Sequence, residues 1–186
     1  MKKTVFAVAA AIAVSASAEL KFGTVDLMLL VKNHPNYESN KTLLTSTDND
    51  YQKKLDAIKA EGDKLQEEGK KLSEQMRNPM LATKAKSDIE NQLVDIQKKL
   101  MGIEQRYRSE AVRCRQDLQD LERRLLKTTT DDLRKRIAKF AGANGYDFIF
   151  DANAAAYAGK SFDVTDDMLK ALGVDPKEAR GRDEGK

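Results

Sequence analysis

From Asn36 to about Ala141 the chain carries a single proline and repeats its apolar residues at intervals of three and four. So long a period of that kind is a helical signal, and at this length it is a coiled-coil signal. The outgoing seam runs Tyr51, Leu55, Ile58, Gly62, Leu65, Gly69, Leu72, Met76, and the returning one Ile89, Leu93, Ile96, Leu100, Ile103, Tyr107. Asn78-Pro79 lies between them and predicts the reversal, with asparagine as cap and proline at the first position of the return helix. Folding the seams about Pro79 sets Leu55 against Ile103, Gly62 against Ile96 and Gly69 against Ile89. A shift by one heptad is equally periodic, so the turn residues alone select this register. At a rise of about 1.5 Å per residue, an arm from Tyr37 to Arg77 is roughly 60 Å long.

Two glycines within such a seam are unexpected, since each costs roughly 1 kcal/mol against alanine in a helix interior. Gly62 and Gly69 would each face a bulky isoleucine, which is a local fit of small against large. Alanine would also leave room, so Gly62, Gly69 and Gly102 are read as sites of arm flexibility. The spacing Leu100, Ile103, Tyr107, Ala111, Cys114 adds an eleven-residue stutter that locally unwinds a supercoil. The return helix continues through Leu118, Leu121, Leu125, Leu133 and Ile137 to Phe140. It outruns its partner, so its last turns must pack elsewhere.

The remainder is short and mixed. Leu20 to Asp26 alternates apolar and polar residues as a strand does, and Asp26 is placed to cap a helix from Leu27 to Asn33. After the break at Gly142 to Gly145, Tyr146 to Asp151 reads as a second strand and Ala154 to Ala158 as a third. Thr165 is placed to cap a last helix over Asp166 to Leu172. The fold class is therefore α+β, mostly α, with a long antiparallel helical hairpin inserted in a small β-strand body. Residues 19–36 and 142–174 form that β-rich oligomerisation body, 37–141 the arm with its tip near 78–79, and 175–186 a disordered charged tail. So small a body is expected to complete itself as a ring of identical chains.

The first residues differ in kind. Met1-Lys2-Lys3 is basic, Thr4 to Val14 is apolar, and Ala16-Ser17-Ala18 suits a signal peptidase, with cleavage between Ala18 and Glu19. Residues 1–18 are read as a secretory signal, leaving a soluble exported chain. The single cysteine, Cys114, has no internal partner and falls at a seam position. His34, the only histidine, has no cysteine or carboxylate cluster beside it in sequence.

No phosphate loop, dinucleotide-binding glycine pattern, zinc spacing or hydrolase elbow is present in the sequence. We expect neither an enzyme nor a cofactor or metal. The charge is uneven: Lys98 to Lys139 holds thirteen basic against seven acidic residues, while Asp50 to Arg77 is balanced at seven each. Arg106, Arg108, Arg113, Arg115, Arg123 and Arg124 dominate the excess and read as a basic face that steers acidic partners. In an exported chain those are acidic unfolded polypeptides or anionic lipid headgroups rather than nucleic acid.

The run Gly145-Tyr146-Asp147-Phe148-Ile149-Phe150-Asp151-Ala152-Asn153-Ala154-Ala155-Ala156-Tyr157 resembles the strand region of the OmpH/Skp family of periplasmic chaperones. Asp163-Val164-Thr165-Asp166-Asp167-Met168-Leu169-Lys170 resembles that family's closing helix, and Lys21 to Asp26 its first strand. The resemblance implies a homotrimer whose helical arms enclose a cavity. It implies a holdase that binds unfolded outer-membrane proteins without ATP and prevents their aggregation. By matching position, Phe22, Thr24, Val25, Phe148, Ile149 and Phe150 would belong to the trimeric body, with Asp151, Asn153 and Tyr157 shaping its turn and second strand. A lipopolysaccharide-binding basic site is proposed within the family, and its residues are not carried over through the diverged arms. The rival expectation is a periplasmic coiled-coil spacer or scaffold that holds no client, and a weaker one a secreted basic protein binding polyanions.

Overall fold

The computed structural model describes residues 19–184; the signal-peptide expectation for 1–18, with Ala18 at its end, lies outside them. Strand β1 (Phe22–Val25) leads into α1 (Leu27–Lys32), then the long helices α2 (Tyr37–Met76) and α3 (Thr83–Asn144). Strand β2 (Phe148–Asp151) follows, then two short 3-10 turns at Ala152–Ala154 and Lys160–Phe162, and finally α4 (Thr165–Ala171) and α5 (Pro176–Glu184). The chain is mostly helical.

The two strands pair in parallel, Phe22 opposite Phe148 and Val25 opposite Asp151. Parallel neighbours need a long crossover, and here the crossover is α1 and both long helices. The pair is fastened at its start: the Lys21 amide donates to Asp147 Oδ2 at 2.7 Å, and Lys21 Nζ donates to the Asn144 carbonyl at 2.9 Å. The expected third strand over Ala154 to Ala158 is not formed. Asp151 Oδ1 accepts from the Asn153 amide at 3.0 Å, which turns the chain out of β2 into the 3-10 segment. The place beside β1 goes instead to Asp163, by an isolated bridge to Thr24 in which the Val164 amide donates to the Thr24 carbonyl at 2.9 Å.

One core joins distant parts of the sequence. Leu29 and Leu30 of α1, Leu133 near the root of α3, Met168 and Leu169 of α4 and Ala179 of α5 pack with Val25 and Val164. Ile137, Phe140, Tyr146 and Ile149 flank them, so the last turns of α3 do pack outside the helix pair. Burying Leu30, Leu133, Met168 and Leu169, all fully inside, contributes about 1.5–3 kcal/mol each. Asp26 caps α1, its Oδ1 accepting from the Leu29 amide at 2.9 Å. At the far end of α3, Gly145 adopts φ +68° and the Tyr146 amide returns to the Ala141 carbonyl at 3.0 Å, an ending open to glycine because a side chain is strained there.

Three expectations are corrected. Within the expected disordered tail over 175–186, Pro176–Glu184 is a helix: Ala179 is fully buried, and Arg180 reaches Asp166 Oδ1 at 2.7 Å. Thr165 is the first residue of α4 rather than its cap. Its hydroxyl donates to Asp163 and accepts from the Asp26 amide, which ties α4 to the start of α1. The third concerns the tip. α2 ends at Met76, just before Asn78-Pro79, as the restriction on residues preceding proline favours. Pro79 does not open the return helix, however; α3 begins four residues later, at Thr83 behind Ala82. Asn78 organises the interval, its Oδ1 accepting from the Met80 amide and its carbonyl from the Leu81 amide.

That late start slides the pairing by one heptad. A Cβ on Gly62 would stand 3.5 Å from Ile103 Cγ2, and one on Gly69 3.6 Å from Ile96 Cγ2. The seam residues are those expected, with small still facing large, but Ile103 and Ile96 replace Ile96 and Ile89. Periodicity could not distinguish the two registers, and the turn chemistry pointed to the wrong one. The ion pairs Lys54–Glu110 and Arg106–Glu61 cross between the helices in the register formed.

Candidate assembly face and arm surfaces

The strand pair divides its residues between two faces because side chains alternate along a strand. Val25 and Ile149 point into the core. Phe22, Phe148 and Phe150 point away from it and remain 41%, 48% and 51% exposed. Their rings stack, with centroids 5.6 Å apart for Phe22–Phe148, 6.0 Å for Phe148–Phe150 and 6.5 Å for Phe22–Phe150. Three phenylalanines with nearly parallel rings facing water form an apolar patch of the kind that marks an interaction site. Among the described residues β2 has β1 as its one strand neighbour, so an unpaired strand edge adjoins the rings.

The other residues expected in the body sit around this face. Thr24 is buried, with its carbonyl bonded to Val164. Asp151 and Asn153 make the turn after β2, and Asn153 also approaches Asp26 Oδ1 at 3.5 Å. Tyr157 stands free of that turn and is exposed. On the opposite face Gly23 lies under Tyr146: a Cβ there would meet the ring at 3.3 Å.

The six arginines do not share one face. Counting 100° per residue, Arg106, Arg113 and Arg124 fall on one line of α3. Arg108 and Arg115 fall on a nearly opposite line, with Arg123 closer to the second. Arg106 pairs with Glu61 across the seam, while Arg108, Arg113 and Arg123 pair along the helix with Glu104, Asp117 and Asp120. Among the described residues Arg115 and Arg124 make no ion pair. Exposed pairs of this kind contribute little to stability. Cys114 is buried in the seam as a free thiol.

Sequence reasoning passed over a polar clasp where the arm leaves the core. His34, buried in the α1–α2 turn, lies 3.0 Å from Asp132 Oδ2 through Nε2, and its Nδ1 accepts from the Asn36 amide at 3.2 Å. Nδ1 is thus the acceptor and Nε2–H the donor. Arg136 donates to the same carboxylate oxygen at 2.6 Å, and Asn40 reaches Thr129 at 3.3 Å one turn further along. The His34 hydrogen bond, followed by that of Arg136, holds the Asp132 carboxyl below the usual carboxylate range. Ninety-eight residues separate His34 from Asp132, so no local pattern could reveal the contact.

Among the described residues no group of histidines, cysteines and carboxylates is arranged to hold a metal, and no helix is long and apolar enough to cross a membrane. What the surfaces offer is an exposed phenylalanine face and long charged helices. The family model described as "Outer membrane protein (OmpH-like)" matches residues 21–172, and the chain belongs to that family. A curated relative, the chaperone protein Skp of Yersinia enterocolitica, is 26% identical over 174 residues, which cover 92% of this chain and 99% of that protein. Helix α5 lies beyond the stretch matched by the family model.

Proposed function

We propose that this protein is an ATP-independent holdase of the periplasm, exported by the signal at 1–18, that binds unfolded outer-membrane β-barrel proteins between helical arms. The observation that carries the reading is the pairing of an exposed phenylalanine face with a long, unshielded helix pair, in a chain whose family and Skp relative concern the outer membrane and chaperoning. The phenylalanine face and the open β2 edge form the contact between copies, most simply in a homotrimer. The arms, free of that contact, are coiled-coil hairpins around a shared cavity. Many weak contacts along them let a client bind and leave without nucleotide, and enclosure keeps client strand edges from pairing with one another. The excess of basic residues on α3 attracts acidic chains, and anionic lipid or lipopolysaccharide is a further partner of the same charge.

The test is suppression of aggregation. A β-barrel outer-membrane protein diluted from urea should stay in solution with the signal-free chain present and no nucleotide, and the complex should carry one client per assembly by native mass. An assembly that forms normally yet leaves aggregation unchanged would make the protein a spacer rather than a holdase.

A further inference from the structure

Four apolar residues on α3 lie outside the seam. Val94, Met101, Val112 and Leu126 are 48%, 66%, 56% and 49% exposed. They are separated by 7, 11 and 14 residues, each close to a whole number of turns. At 100° per residue the four fall within about 40° of one line, and they span about 48 Å. The seam that meets α2, marked by Ile89, Ile96 and Cys114, lies about 140° round the helix. Continued toward the root, the same line reaches Leu133 and Ile137, which belong to the core. The core-facing side of α3 therefore runs on up the arm after the core has ended, with its apolar residues uncovered.

We infer that this line is the client-contact line of the arm, and that it takes unfolded segments in which apolar side chains are interspersed with carboxylates. The inference rests on the holdase reading. Two observations favour such an occupant over a second copy of the arm. First, the apolar residues are too sparse for helix-on-helix packing, which needs one every three or four residues. Gln105, Arg108, Arg115 and Gln119 fill the intervals. Second, among the described residues Arg115 has no carboxylate partner and Arg108 has only the exposed Glu104. Copies related by a ring axis stand at equal height, so packing along this line would set Arg115 against Arg115 and Arg108 against Arg108. Like charges brought together disfavour that association, and the same guanidiniums favour a partner bearing acids. The open groove along Met101, beside Lys98, Gly102 and Arg108, also has room at Gly102, where a side chain would meet nothing.

The test compares the signal-free chain with two variants. One carries Val94→Ser, Met101→Ser, Val112→Ser and Leu126→Ser; the other carries Arg108→Gln and Arg115→Gln. The probes are an outer-membrane β-barrel protein diluted from urea and a permanently unfolded acidic polypeptide, reduced and carboxymethylated lactalbumin. The four-serine variant should keep the native mass and helix content of the wild type and bind both probes on the order of tenfold more weakly, a change of about 1.4 kcal/mol. The arginine variant should bind more weakly at low salt and lose much of its salt dependence. Wild-type binding of the probes with equal binding by the four-serine variant would overturn the inference and leave the holdase reading standing. A fall in assembly mass in that variant would overturn it in favour of a second copy as the occupant. A wild type that binds neither probe would end the holdase reading and the inference together.

Discussion

Gly62 and Gly69 stand in the seam with room beside them. The separations of 3.5 and 3.6 Å to the facing isoleucine methyls are ordinary contact distances for an added Cβ, so packing within one chain does not require glycine. What glycine supplies is backbone freedom, at a cost to the helix. Replacing both with alanine is expected to stabilise the arm by about 0.5–1 kcal/mol per site and so to raise its thermal unfolding midpoint, followed by circular dichroism at 222 nm. If bending is their use, the stiffer arm should protect a narrower range of client sizes. A lower midpoint would show that the methyl groups collide with something the seam geometry does not include. Glycine at these sites, and the isoleucine type that faces each, were legible from spacing alone. The individual isoleucine was not, because a heptad repeat maps onto itself under a slip of seven.

Elements were legible in proportion to how far their own residues specify them. α1 announces itself by Asp26 and its apolar run, and the two long helices by sustained period. β1 and β2 show in their alternation; their parallel pairing did not, because a hairpin that returns to its base leaves the direction of the second strand open. α5 was hidden because its sequence offers one apolar residue to the core, Ala179, among charges; its position depends on Arg180 meeting Asp166 and Asp163, a contact absent from any local pattern. The root of the arm depends on another, His34 with Asp132. Asp132 has its carboxyl lowered, first by the His34 hydrogen bond and then by Arg136. A carboxyl lowered on folding contributes stability that is present above its unfolded value of about 3.9 and lost as pH falls through the lower folded value. Urea unfolding at pH 7, 4 and 3 should therefore show stability falling toward pH 3 less steeply in Asp132→Asn than in the wild type, with the variant weaker at pH 7. Equal slopes would mean that the clasp does not outlast thermal motion in solution.

At the scale of the whole molecule the distribution of apolar surface determines what must be completed from outside. Within one chain the core closes over Leu30, Leu133, Met168 and Leu169, while Phe22, Phe148 and Phe150 stay outward and stacked. The position of these rings was readable from strand alternation; their exposure was not, since phenylalanines in a short strand are as easily core. Removing rings that already face water in the monomer should cost the isolated fold little, whereas removing rings buried between copies should cost assembly a great deal. On the proposal that three copies meet through these rings, Phe22→Ser with Phe150→Ser is expected to lower the native mass of the signal-free chain from that of three copies to that of one. Far-ultraviolet helix content should be kept, because the contacts of α2 and α3 with each other lie elsewhere. The arms would then be present without the enclosure, so client protection should fall although the client-contact line is intact. A variant that keeps the oligomeric mass would remove the phenylalanine face from the interface, and one that loses its helices would show the rings to be part of the monomer's own core.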